Sequence, residues 1–260
     1  MSEFILNLNV LIFSIYYLFV TLKFRFAVLL SLLFFVAANA QDTTQNRRYE
    51  VSALLVPQYT SYLNATDAAD ARTDYTKSFG VAYELRVGFV LRRNFALQTG
   101  LCWSQQGQNY AAKPSSNSIY TYQRSLEYLK LPLTAQYRLT TSKNMRFTAE
   151  AGLQVAKLLH ADFQRDAQPY LYDGTNGNYN EIQKYKPFDV AAICTLGAQF
   201  NANNRLFINM LLRADISLQD IDNKQIMYNY NIERQTIRSE NRSASHNLSC
   251  GLGLGVGYRF

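Results

Sequence analysis

From residue 49 onward apolar side chains recur at every second position, a period that only strands with two different faces can use. In 81–91 the odd positions are Val81, Tyr83, Leu85, Val87, Phe89 and Leu91, while Ala82, Glu84, Arg86, Gly88 and Val90 lie between them. Leu206 to Leu218 repeats the pattern on even positions, with Asn209, Arg213, Asp215 and Ser217 on the other face. Residues 188–200 do the same, and in the closing segment Leu248, Cys250, Leu252, Leu254 and Val256 alternate with Gly251, Gly253, Gly255 and Gly257. No 15-residue window in this region carries the 3.6-residue period of a helix.

Eight such segments are predicted, at roughly 49–63, 77–91, 94–111, 120–139, 145–160, 187–200, 205–219 and 245–260. The connections 92–94, 140–144 and 201–204 are tight and rich in Asn, Ser and Lys, whereas 64–76, 112–119, 161–186 and 220–244 are longer and polar. An even number of long antiparallel strands with alternating short and long connections predicts a transmembrane up-and-down β-barrel of eight strands. Its apolar face meets lipid and its mixed face fills the lumen. A soluble barrel of lipocalin type would turn the apolar face inward. Two features favour the membrane. Tyr49, Phe89, Phe95, Tyr137, Phe147, Phe200, Tyr258 and Phe260 gather at the short-turn ends of the apolar face, as an interfacial girdle does. The opposite face carries Glu84, Arg86, Lys130, Arg138, Arg146, Glu150, Arg213 and Asp215.

The N-terminus reads as a targeting segment. Lys23 and Arg25 precede an apolar run over 26–38, and Ala38-Asn39-Ala40 forms a small-x-small cleavage site, so export with cleavage after Ala40 is expected. Position 41 is Gln, which excludes a lipid-modified cysteine there. A second apolar stretch, 4–22, is nearly long enough to span a membrane. It reads either as an anchor or, preferably, as the product of a start placed upstream of the true one. The expected organisation is therefore a leader over 1–40, a short periplasmic lead over 41–48 and the barrel over 49–260. The net charge of +7 invites a nucleic-acid partner, but removing the leader leaves 24 basic against 18 acidic residues with no basic cluster, and nucleic acid is not expected. Charged residues at 17% and aromatics at 14% exclude disorder, and three Cys exclude a disulfide scaffold.

The Ala-x-Ala site before Gln41, the string Tyr128-Leu129-Lys130-Leu131-Pro132-Leu133 and the closing Gly253-Leu254-Gly255-Val256-Gly257-Tyr258-Arg259-Phe260 resemble the PorT-like outer-membrane β-barrel family of Bacteroidota. The resemblance covers 49–260 and departs from the family at Lys130, where an acidic or polar residue is usual. It implies a bacterial outer-membrane location, the lipid bilayer as surroundings and a part in secretion or assembly. Phe260 with Tyr258 resembles the C-terminal signal read by the barrel-assembly machinery.

Catalytic chemistry has little to draw on. Of the two His, parity sends His160 to the lumen and His246 to lipid on distant strands, so a lipid-modifying enzyme is a weak alternative. Cys102 is expected in the lumen and Cys194 and Cys250 toward lipid, with no disulfide among them. Neither a cofactor nor a metal site is expected, and Asp173–Asn178 lacks the spacing of a calcium loop. The eight lumen charges are expected to form a structural ion-pair plug, because an eight-strand lumen is just wide enough to be filled by side chains. A narrow channel for ions or small solutes is the alternative. Tyr170, Tyr172, Tyr179, Tyr228, Tyr230 and Arg234 in the two longest loops are the candidate contact residues for an unidentified protein partner.

Overall fold

A computed structural model describes residues 48–69, 73–92, 94–115, 118–142, 144–167, 177–224 and 243–260. The expected leader over 1–40 lies outside them. Ten strands are present: β1 Tyr49–Asn64, β2 Thr73–Thr76, β3 Ser78–Arg92, β4 Phe95–Ser115, β5 Ser118–Thr140, β6 Met145–Ala167, β7 Gly177–Asn180, β8 Phe188–Asn201, β9 Leu206–Ser217 and β10 Ser245–Arg259. Eight of them close a ring in the order β1-β3-β4-β5-β6-β8-β9-β10, every neighbour antiparallel, with β10 returning to β1 over Glu50↔Arg259 to Asn64↔Ser245. Each ring strand thus has a partner strand on both sides, as a lipid-embedded sheet requires. The four-residue strands β2 and β7 pair onto β4 and β6 outside the ring.

The faces follow the period. On β9 Leu206, Ile208, Met210, Leu212 and Ile216 are exposed, while Phe207, Leu211, Arg213, Asp215 and Ser217 are buried. Leu131, Leu133, Leu153, Leu196, Leu252 and Leu254 stand outside in the same way. Six of the eight girdle aromatics are exposed at the short-turn end, and two pairs of them meet edge to face: Tyr49 with Phe89 at 5.5 Å and Phe95 with Tyr137 at 5.3 Å. The other two depart from expectation. Tyr258 is buried, its hydroxyl accepting from Arg205 and its ring edge-on to Phe260, which is half-buried.

The short turns are closed by their own side chains. Asn203 Oδ1 accepts from the amides of Arg205 and Leu206 at 2.8 and 2.7 Å. At the opposite end the connections are not all long. Within the stretch 112–119, expected as a polar loop, residues 112–115 and 118–119 instead continue β4 and β5 to a pairing of Ser115 with Ser118. The wall is therefore uneven: β4, β5 and β6 have 21, 23 and 23 residues, against 12 to 16 in the other five ring strands. β2 and β7 extend this raised part sideways.

The row of glycines on β10 answers to the narrow lumen. A Cβ on Gly253 would stand 2.5 Å from Leu211 Cδ1, and one on Gly257 would stand 2.2 Å from Phe207 Cζ. Side chains from neighbouring strands occupy the space that β10 leaves free. Since Leu133 faces outward, 62% exposed, near the middle of the apolar band, Leu133→Arg should lower stability by about 2–4 kcal/mol, as expected of a charge at mid-bilayer. Denaturant unfolding in lipid vesicles measures it; a barrel whose outer face met water would lose little.

Candidate functional site

A chain of charge-assisted hydrogen bonds runs across the lumen. It begins near the short-turn end with Arg259, whose Nε donates to Glu50 Oε1 at 2.7 Å while its two other nitrogens reach Asn201 and Gln199. Arg138, from the far wall, grips the same Glu50 carboxylate with both Nη atoms and donates through Nε to Gln136. Gln136 donates to Glu150, and Glu150 accepts from Arg86 at 3.0 Å. Arg86 donates through Nε to Glu84 at 2.8 Å, and the other Glu84 oxygen accepts from Arg213. Arg213 meets Asp215 at 2.8 Å and Gln154 at 3.0 Å, and Asp215 accepts from Lys130 at 3.1 Å. All of these ionic side chains are at least 92% buried. Desolvation of so many charges is tolerable only because nearly every guanidinium and carboxylate edge is matched.

Parity placed seven of the eight expected charges, Glu84, Arg86, Lys130, Arg138, Glu150, Arg213 and Asp215, in this chain. The eighth, Arg146, is half-buried at the short-turn end of β6. Glu50 and Arg259 were missed, although Glu50 alternates with the outward Tyr49 and Arg259 continues the inward row of glycines on β10; the same parity argument would have found them. Apolar side chains fill the space beside the charges, with Leu54, Val56, Ala82, Cys102 and Leu211 in one buried group.

Toward the long-loop end Lys130, Asp189, Asp215, Gln154, Ser217 and Asn247 surround a cavity of about 10 Å³, near the lower limit for one water molecule. Above it the mouth is filled by the segments 181–187 and 218–224. They are joined by a bridge between Tyr185 and Asp222, and Ile221 donates its amide to the Ser245 carbonyl at 3.0 Å. Tyr185 and Ile221 are 4% and 1% exposed and pack with Tyr62, Leu126, Tyr128 and Leu158. Asp222 is the latch: one carboxylate oxygen accepts from the Tyr62 hydroxyl and the other from Ser245 Oγ at 2.7 Å. Tyr185, Ile221 and Asp222 of the long connections are therefore buried structure, while Ile182, Gln183, Lys186, Pro187 and Leu218 beside them are exposed.

The remaining candidates scatter. His160 is exposed on the outer face, contrary to expectation. The register of β5 with β6 slips between Glu127↔His160 and Tyr128↔Leu158, so an extra residue on β6 inverts its parity. His246 faces outward as expected, its Nδ1 3.1 Å from the Ser217 carbonyl oxygen. Cys102 is buried, while Cys194 and Cys250 are exposed on either side of Ala214, one strand apart from bonding range. Tyr179 lies in β7 opposite Phe163. Tyr170, Tyr172, Tyr228, Tyr230 and Arg234 lie outside the described residues.

A family model described as the outer membrane protein β-barrel domain matches residues 34–223. No curated protein matches. Among solved structures the outer membrane protein OprG of Pseudomonas aeruginosa is 10% identical with a TM-score of 0.46, covering 84% of this chain and 99% of its own. Neisserial surface protein A is 9% identical with a TM-score of 0.43, covering 82% and 97%. The outer membrane protease OmpT of Escherichia coli is 10% identical with a TM-score of 0.41, covering 85% and 99%. At these identities and scores the three carry nothing further about this chain.

Glu50 is ion-paired with two buried arginines, so Glu50→Gln should cost about 3–5 kcal/mol in denaturant unfolding, and adding Arg138→Met should restore part of it. A second expectation concerns the mouth. Burial works against ionisation of Asp220, but the amides of Ser245 and Asp222 and the Lys224 ammonium outweigh it and hold the carboxyl below its usual range. A depressed folded pKa contributes stability above the unfolded value of about 3.9, lost as pH falls through the folded one. The thermal midpoint should therefore fall between pH 5 and pH 3, and fall less in Asp220→Asn.

Proposed function

Because the chain belongs to the outer membrane protein β-barrel domain family, we propose that it is a non-enzymatic, occluded barrel of the bacterial outer membrane whose long-loop end is a binding surface. The observation that carries this is the double closure of the lumen. A continuous ionic chain fills its middle, and Tyr185 and Ile221 fill its mouth. The cavity between the two closures has room for about one water molecule. An enzymatic reading would need a base beside a nucleophile, and both His stand on the outer wall.

The barrel is exported by its leader, cut after Ala40, with its termini and short turns in the periplasm and its raised wall outside. Assembly proceeds through the barrel-assembly machinery, with Phe260 and Tyr258 as the C-terminal signal. The finer role is a PorT-like accessory part in secretion or assembly, supported by the Tyr128–Leu133 string and the closing glycine-alternating strand. The uneven wall supports the binding role. Residues of β4, β5 and β6 beyond the membrane band serve no closure of the lumen, yet they form a regular sheet with β2 and β7.

Residues 41–260, refolded and shown to be barrel by heat-dependent gel mobility, should give no discrete current steps in a planar bilayer. Salt-dependent steps would replace this reading with that of a narrow channel. Arg213→Ala should lower the unfolding midpoint and leave the bilayer silent; a variant that conducts while staying folded would make the ionic chain a gate.

A further inference from the structure

The raised wall carries a buried ionic group that the lumen chain does not use. Arg124 on β5 is 9% exposed and lies on the inner face, one turn of the period outside Leu126. Its guanidinium carbon is 5.3 Å from the centroid of the Tyr110 ring and 5.5 Å from that of Tyr62. Its Nε has no hydrogen-bond partner, and no carboxylate among the described residues is ion-paired with it. The neighbouring Tyr110, 2% exposed, has a hydroxyl equally without a partner. Asp67 acts on the guanidinium by charge without an ion pair, and the buried Asp222 is committed to the Tyr62 and Ser245 hydroxyls. A desolvated guanidinium without an anion is costly, and every other buried arginine of the lumen chain has one. Beside it four rings cross four strands: Tyr75, Tyr110, Tyr122 and Phe163, with successive centroids 5.2, 5.3 and 5.8 Å apart.

We propose that Arg124 and the Tyr110 hydroxyl form a binding site for a small oxyanion, a carboxylate or phosphate group carried by a solute that reaches the long-loop end. The guanidinium supplies charge and a planar fork of donors, the phenol supplies a further donor, and the ring ladder supplies an apolar wall for the rest of the solute. This deepens the reading of the long-loop end as a binding surface, and its failure would leave the occlusion of the lumen untouched, since bilayer silence is measured separately.

The test uses the full chain refolded in a zwitterionic detergent, titrated calorimetrically with sodium phosphate and, separately, sodium acetate at constant ionic strength. Saturable binding of either anion is expected, and the anion that binds identifies the headgroup. Arg124→Gln should abolish it. Tyr110→Phe, which keeps the ring and one hydrogen bond fewer, should weaken it about tenfold, the worth of about 1.4 kcal/mol. Phosphate or acetate should also raise the thermal midpoint of the wild-type barrel and not that of Arg124→Gln. Absence of saturable binding to the folded wild type overturns the proposal, and so does binding that Tyr110→Phe and Arg124→Gln leave unchanged. Tyr110→Phe keeps the test decisive should Arg124→Gln fail to fold.

Discussion

In hydrocarbon each unpaired peptide N–H or C=O costs several kcal/mol, so a strand that enters the membrane must be paired along both edges. Here that demand is met when β10 returns to β1 across thirteen paired positions. Nearly everything else is a consequence. Once eight strands close, the ring encloses a lumen too narrow for a water column and too wide to be left empty. Side chains from every strand must fill it, and the outer face, relieved of any need for polarity, turns to Leu, Ile, Phe and Val.

The filling uses two chemistries side by side. Against β10 it is steric: glycines alternate along the strand, and Leu211 and Phe207 lie in the space their missing side chains leave. Arg259 then covers the Phe207 ring, its guanidinium carbon 4.5 Å from the centroid. Across the rest of the lumen the filling is ionic. Arginine dominates because a planar fork can engage a carboxylate and a glutamine together, as Arg138 does with Glu50 and Gln136 and Arg213 with Asp215 and Gln154. A lysine at those positions would leave acceptors unmatched; the one lysine in the ionic network, Lys130, stands at its end, beside the small cavity.

The long-loop end obeys different constraints. Outside the lipid, water can satisfy the backbone, so the wall need not be even and the three longest strands rise beyond the others. The mouth below that wall is shut by chain segments held through Asp222 and Asp220. The barrel thus separates a charge-locked middle from an outer rim where solvent is near. Binding surfaces are drawn from such rims because their residues are free of the closure requirement.

Period-two patterning alone determined the number of ring strands, the lipid and lumen faces, and the inward direction of Glu84, Arg86, Lys130, Arg138, Glu150, Arg213 and Asp215, because a strand's side-chain direction is a local property. Partnership is not local. That Arg138 meets Glu50 eighty-eight residues away, or that Arg213 meets Glu84, follows from ring closure and the stagger of eight registers, which no single strand encodes. The slip that turns His160 outward depends on one residue inserted against a partner strand, invisible in the alternation of either strand by itself. The folding of Tyr185 and Ile221 into the mouth lay equally beyond the sequence. Their segments are polar and turn-rich, and only the shape of the opening beneath them made burial favourable.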